Sequence, residues 1–261
     1  MIVDAYAHCG SNRYLPIDQL EMAMDTNDID ACLLVQHMGE FDNGYLASIV
    51  RKSPKRYGAI CLVDTTHNDA PQQLELLLTG NAKEADGVRF LGARMTADMM
   101  AESPQSLDVL NRHKATLVVH LPQGIGVHLA LLERLACDFS DLIIYVPHMG
   151  WPRINGQPSP AWQEAIRTLS QYPAFAFGLS AMYHFSSEPF PHKDVWPHMQ
   201  DLVAAVGADR VVWASDFPLL LDKESLADNL KLFSEGLIEF TPNEREAILG
   251  ESACRFWKLG T

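Results

Sequence analysis

A chain of 261 residues is close to the roughly 250 of one α/β barrel, and 48% hydrophobic against 20% charged residues can build a large buried core, which excludes a disordered chain. With 33 acidic and 20 basic residues the formal net charge is −13, which repels a nucleic-acid backbone and an anionic membrane surface but not a small anion held by local cations. The five cysteines, Cys9, Cys32, Cys61, Cys137 and Cys254, are widely spaced and lack a CxxC pair, so a disulfide framework and a zinc ribbon are excluded and a reducing cytoplasm is the expected compartment.

Short apolar, β-branched runs alternate with longer segments of helical period, the pattern of βαβ units with parallel strands. Strands are predicted at 2–7, 31–36, 57–63, 87–90, 116–120, 142–147, 174–179 and 210–215. Between them, apolar residues three and four apart predict helices at 17–27, 72–78, 127–137, 161–169, 195–206 and 226–233. The tail from 243 to 259 reads as one or two closing helices, with Thr241 or Asn243 as cap and Pro242 near the start. No linker, repeat or low-complexity tract interrupts residues 1–261, so one domain is expected. The opening Met-Ile-Val-Asp goes directly into a strand, which leaves no export signal, and no apolar run reaches the ~18 residues of a membrane span.

An open doubly wound sheet has the same alternation, but it asks for a glycine-rich turn after the first strand. Here Ala7-His8-Cys9-Gly10 follows, and no GxGxxG occurs. A (β/α)₈ barrel places its active site at the C-terminal strand ends. His8 ends the first predicted strand, His37 follows the second, Arg89 lies near the end of the fourth, His120 ends the fifth, His148 follows the sixth and Asp216 the eighth. Four of ten histidines at predicted strand ends, with an aspartate after the last, point to convergence on one pocket. His67, His113, His128, His184, His192 and His198 fall in loops or helices and read as surface or structural residues. Cys9 reads as a packed thiol, and Ser215-Asp216 lacks the GxSxG elbow of a serine hydrolase.

Val3-Asp4-Ala5-Tyr6-Ala7-His8 resembles the Asp-x-His-x-His opening of the amidohydrolase-related family. Gly87-Val88-Arg89-Phe90, Val119-His120, Pro147-His148-Met149-Gly150-Trp151-Pro152 and Trp213-Ala214-Ser215-Asp216-Phe217-Pro218 follow in the order that family shows. Leu179-Ser180-Ala181-Met182-Tyr183 is most similar to the branch holding pyrone-dicarboxylate and sugar lactonases, while other members of the family are decarboxylases. The resemblance implies a divalent metal bound by both histidines of the first strand, a histidine after the fifth and an aspartate after the eighth. Here Tyr6 stands in place of the first histidine, leaving His8, His120 and Asp216 as ligands if an ion is bound. A phenol must lose its proton at a pKa of about 10 to substitute for imidazole, so the expectation is either no cofactor or one divalent metal, zinc for these ligands.

The functional expectation is a hydrolase that opens a lactone or related cyclic ester of a small carboxylate or sugar acid. Asp216 is the candidate general base, with His148, His120 and His8 completing the catalytic set. Arg89 suits bidentate capture of a substrate carboxylate, its other reading being a salt bridge at the barrel end. Tyr6, His37 and Tyr183 are candidate hydrogen-bond donors to the substrate. A metal-dependent decarboxylase of a small unsaturated acid and a barrel that binds a metabolite without turnover are the alternatives.

Overall fold

Eight parallel strands pair in chain order: β1 (Val3–Ala7), β2 (Ala31–Val35), β3 (Tyr57–Cys61), β4 (Gly92–Met95), β5 (Thr116–Val119), β6 (Ile143–Val146), β7 (Phe175–Leu179) and β8 (Val211–Trp213). This computed structural model describes residues 1–154 and 157–260. Main-chain bonds just beyond β8 carry the sheet back to β1: His8 N donates to Phe217 O at 2.7 Å, and Asp216 N to Tyr6 O at 3.0 Å. The Asp4 carboxylate locks the same seam, accepting the Ser215 N–H at 2.9 Å together with the Ser215 hydroxyl. Asp4 is fully buried, and burial raises its pKa to about 6 against the lowering effect of those hydrogen bonds. The expected (β/α)₈ barrel is the observed fold.

The outer layer consists of α1 (Ile17–Thr26), α2 (Gly44–Lys52), α3 (Ala70–Thr79), α4 (Ala97–Glu102), α5 (Pro104–Arg112), α6 (Leu129–Asp138), α7 (Pro160–Leu169), the one-turn α8 (Met182–Phe185), α9 (Trp196–Val206) and α10 (Leu226–Ser234). Each long helix turns one apolar stripe inward; α7 buries Trp162, Ala165, Ile166 and Leu169. The six expected helices form within two residues or so of their predicted limits. Helices α2, α4, α5 and α8 are additional, and they are short or begin at Gly44 or Pro104. Among the described residues no helix is long and apolar enough to cross a membrane.

The C-terminal tail plugs the N-terminal end of the barrel. Thr241 and Glu244 form a capping box that starts α11 (Pro242–Glu246), and a π-turn at Ala247–Glu251 leads into α12 (Ser252–Trp257). Trp257 packs edge-on against Tyr145 at 5.1 Å and donates its indole N–H to Thr116 Oγ1 at 2.9 Å. Ala253, Trp257 and Leu259 thereby join Val3, Leu33, Ile60, Val118, Ala176 and Val212 in the inner core.

Two departures from the sequence reading bear on the site. The fourth strand lies at Gly92–Met95, not at 87–90. Gly92 passes so close to β5 that a Cβ there would stand 1.9 Å from Thr116 O, so the true strand carries a glycine and an inward charge where a strand pattern expects β-branched apolar residues. A short antiparallel hairpin, Arg153–Ile154 with Gln157–Pro158, was also not expected. In β1, Asp4 pairs Cys32 and Ala7 pairs Leu34, so three steps of β1 match two of β2. This bulge lets Val3 and Tyr6, three residues apart, both pack in the inner core.

Candidate active site

At the C-terminal end of the barrel, side chains from seven strands or the segments just after them converge. Tyr6 and His8 come from β1 and its end, His37 follows β2, Arg94 lies on β4, and His120 follows β5. His148 follows β6, Tyr183 opens α8 after β7, and Asp216 follows β8. Tyr6, His8, His37, Arg94, His148 and Asp216 are buried, and His120 is half-buried toward the mouth. The Tyr6 ring stands edge-on to both His8, at 5.0 Å, and His148, at 4.9 Å.

Backbone strain collects here. His148 (φ 56°), Met149 (φ 54°), Trp151 (φ 62°), Ala181 (φ 55°) and Asp216 (φ 59°) all adopt the left-handed conformation that favours glycine. Each such residue costs about 1–3 kcal/mol and persists only where its surroundings hold it. Part of that hold is visible: Trp162 donates its indole N–H to Met149 O at 2.6 Å, and Ser180 Oγ contacts both His148 N and Nδ1, at 3.3 and 2.8 Å.

Asp216 has one committed and one uncommitted oxygen. Its Oδ2 accepts the Tyr183 hydroxyl at 2.6 Å, while Oδ1 is buried without a hydrogen-bond partner and faces His8 Nε2 at 3.8 Å. Burial raises the Asp216 pKa to about 7, with the Tyr183 bond and the Arg94 charge pulling in the other direction. Burial and the same arginine lower His8 to about 3 and His120 to about 4, and hold His148 well below the usual imidazole range. The histidines are therefore neutral at neutral pH.

Their tautomers follow from their partners. His8 Nδ1 lies 2.6 Å from Val35 O, an acceptor, so Nδ1 carries the proton and Nε2 turns a lone pair toward Asp216. Arg94 Nη2 lies 3.0 Å from His120 Nδ1, and a guanidinium only donates, so His120 carries its proton on Nε2.

Arg89 is a correction. It is exposed at the opposite, N-terminal end, lining clefts with Trp257 and Lys258, because it precedes the true fourth strand. Arg94 is the arginine that β4 directs into the site. Tyr14, in the loop after β1 and also left-handed at φ 68°, was missed as well. Its ring stacks on His8 at 5.2 Å and stands edge-on to His37 at 5.3 Å, roofing that side of the mouth. The helical N-cap at Thr96 could have placed the end of β4 and hence Arg94; no local pattern marks Tyr14. Of the remaining histidines, His192 is buried against Glu224 at 3.1 Å and His113 pairs with Glu75 at 2.6 Å, away from this cluster.

The sequence profile of the amidohydrolase family, Amidohydro_2, matches residues 3–259. The chain belongs to this family. An L-fucono-1,5-lactonase of Burkholderia ambifaria is 23% identical over 251 residues, which cover 92% of this chain and 84% of that protein. An uncharacterised Sinorhizobium fredii protein is 28% identical over 130 residues, so the matched region spans 48% of this chain and only 42% of that relative. Among solved structures, a zinc-bound amidohydrolase of Burkholderia multivorans superposes with a TM-score of 0.82 at 17% identity, covering 99% of both chains. A probable 2-pyrone-4,6-dicarboxylic acid hydrolase of Acinetobacter baumannii with citric acid bound gives 0.78 at 18%, again over 99% of both. A manganese-bound dihydroxybenzoic acid decarboxylase of Polaromonas gives 0.73 at 16%, over 100% of this chain and 97% of that one. At these identities the structural likeness establishes the shared barrel.

The amidohydrolase neighbours that carry zinc or manganese raise the question of whether these side chains suit an ion. Among the described residues no group of three or more His, Cys, Asp or Glu is arranged to hold one. His8 Nε2 and Asp216 Oδ1 offer lone pairs, but the His120 Nδ1 lone pair is taken by Arg94 and its Nε2 bears a proton. Burial pushes the Tyr6 phenol above its ordinary pKa, so it offers no phenolate. A catalytic zinc site needs about three protein ligands, and a guanidinium within the cluster repels a second cation. The donor set does not fit a divalent metal.

Proposed function

We propose that this protein is a hydrolase that opens a lactone, or a related cyclic ester, of a small carboxylate or sugar acid. The observation that carries this reading is the Asp216 carboxylate. It is buried, anchored through Oδ2, uncommitted at Oδ1, and has a pKa raised to about 7, where a general base works best. Its likeness in sequence to an L-fucono-1,5-lactonase supports the same choice.

A water between Asp216 Oδ1 and His8 Nε2 finds two acceptors 3.8 Å apart, so both its protons are held and its lone pair is free to attack. Attack forms the new C–O bond while Asp216 removes a proton. The carbonyl oxygen becomes an oxyanion, which the His120 Nε2–H and the His148 imidazole are suited to stabilise. Collapse breaks the ring C–O bond, and the proton on Asp216 passes to the departing alkoxide, which completes a hydroxy acid. Tyr6, His37 and Tyr183 surround the cluster as candidate hydrogen-bonding or packing groups for the substrate. Decarboxylation with a metal asks for ligands that this donor set does not supply. Binding without turnover leaves the buried, strained base unexplained.

A panel of sugar-acid and unsaturated carboxylate lactones, followed by proton release, tests the reading. Turnover should rise with pH through about 7 as Asp216 loses its proton, and Asp216→Asn should lower kcat about 10²-fold or more. Carbon dioxide release from an unsaturated acid, with no lactone opened, would make the decarboxylase the better description.

A further inference from the structure

Arg94 is a buried cation with no carboxylate in contact with it among the described residues: only 5% of its surface is exposed, and none lies within salt-bridge distance of its guanidinium. Its partners are neutral: Nη1 donates to Gln36 O at 3.1 Å and Nη2 to His120 Nδ1 at 3.0 Å, while Nε is buried without an acceptor. The guanidinium carbon stands 5.7 Å from the Tyr6 ring centroid. Burying a charge without a counter-ion in contact is costly, so a chain that keeps one at its strand ends has an anion to meet there.

We propose that the Arg94 guanidinium acts as the fixed cation of this site, stabilising the oxyanion formed on the substrate carbonyl. The proposal rests on the hydrolase reading above. The geometry favours the oxyanion over a substrate carboxylate: the Nη2 bond to His120 fixes the tautomer that presents Nε2–H, so guanidinium and imidazole act as one donor pair. A permanent positive charge also accounts for the absence of a compatible ligand set: a zinc ion and Arg94 compete for the His120 lone pair and repel each other.

The test compares wild type with Arg94→Met, which removes the charge at similar length, and Arg94→Lys, which keeps the charge but cannot hold both partners with a planar fork. Arg94→Met should lower kcat 10²- to 10³-fold with KM changed only a few-fold, on carboxylate-bearing and neutral lactones alike. Arg94→Lys should fall between the two. The Arg94→Met melting temperature should equal or exceed that of wild type, since a buried charge with no carboxylate in contact is gone. After dialysis against zinc, elemental analysis of the wild type should find far less than one ion per chain, and ¹⁵N shifts should place the His120 proton on Nε2.

A rise in KM confined to carboxylate-bearing lactones, with kcat intact, would make Arg94 a carboxylate clamp and overturn the proposal. One tightly held zinc per wild-type chain would overturn it too. If the wild type opens no lactone, the hydrolase reading fails separately. Inorganic phosphate then serves as a tetrahedral anion probe: weakening of its binding by at least ten-fold in Arg94→Met upholds the role, and equal affinity removes it.

Discussion

Arg89 and Arg94 are five residues apart and lie at opposite ends of the barrel, and the two ends use their side chains differently. At the N-terminal end Arg89 is exposed, and the inner surface is filled by Trp257 and Leu259, with the Trp257 indole N–H satisfied by Thr116 Oγ1. At the C-terminal end Arg94 is buried without a carboxylate in contact, Asp216 keeps an oxygen without a partner, and six neighbouring non-glycine residues, Tyr14 included, hold left-handed backbone. One end gains stability from packing; the other gives up stability to keep reactive groups poised.

The largest effect that sharpens this contrast is at the plug. Trp257→Ala should cost about 3–5 kcal/mol of stability in chemical denaturation, while the kcat of the protein that remains folded is unchanged. A large loss of kcat in the folded fraction would show that the two ends are coupled. At the other end Asp216→Asn should raise the melting temperature at pH 8. The Asp216 pKa is about 7 in the folded state and 3.8 in the reference state, so its folded form binds the extra proton and wild-type stability falls as pH rises through that window. The gain should vanish near pH 4, and a lower melting temperature for Asp216→Asn at pH 8 would assign Asp216 a structural part.

A smaller shift is expected at Tyr183. Its hydroxyl donates to the charged carboxylate and so lowers the Asp216 pKa; Tyr183→Phe should move the acid limb of kcat/KM about one pH unit higher. An unmoved limb would mean that the bond does not survive substrate binding. The smallest effect belongs to Arg89→Met, which should stay within about 0.5 kcal/mol of wild type in stability and leave turnover intact. A sharp loss of activity there would reverse the assignment of the two arginines.

Seven strands were legible as short runs dominated by apolar residues, as β2 with Ala-Cys-Leu-Leu-Val illustrates, although β1 also carries the buried Asp4. The fourth was not, because Gly-Ala-Arg-Met spends one inward position on a charge and another on a close backbone approach, and the better-looking Gly-Val-Arg-Phe five residues earlier took its place. Strand periodicity could locate His8, His120, His148 and Asp216 since each sits at or just past a strand end. Arg94 sits within a strand, and its role depends on burial without a carboxylate in contact, which periodicity does not report. Tyr14 belongs to a loop, where no repeat says which way a ring turns. The β1 bulge, invisible in sequence, sets which residues of that strand turn inward.

The Asp4 latch has a consequence for the life of the chain. Asp4 and Ser215 are 211 residues apart, yet their hydrogen bonds join the first strand of the barrel to the last. Contacts of such long range form late, after the intervening units have collapsed. Asp216 is the next residue and donates its backbone N–H to Tyr6 O across the same seam. Asp216 therefore comes to face His8 only when the ring of strands shuts. A nascent or partly assembled chain would carry every histidine of the site without that pairing, so with Asp216 as the base of the proposed hydrolysis, the onset of turnover during refolding would report the moment of closure itself.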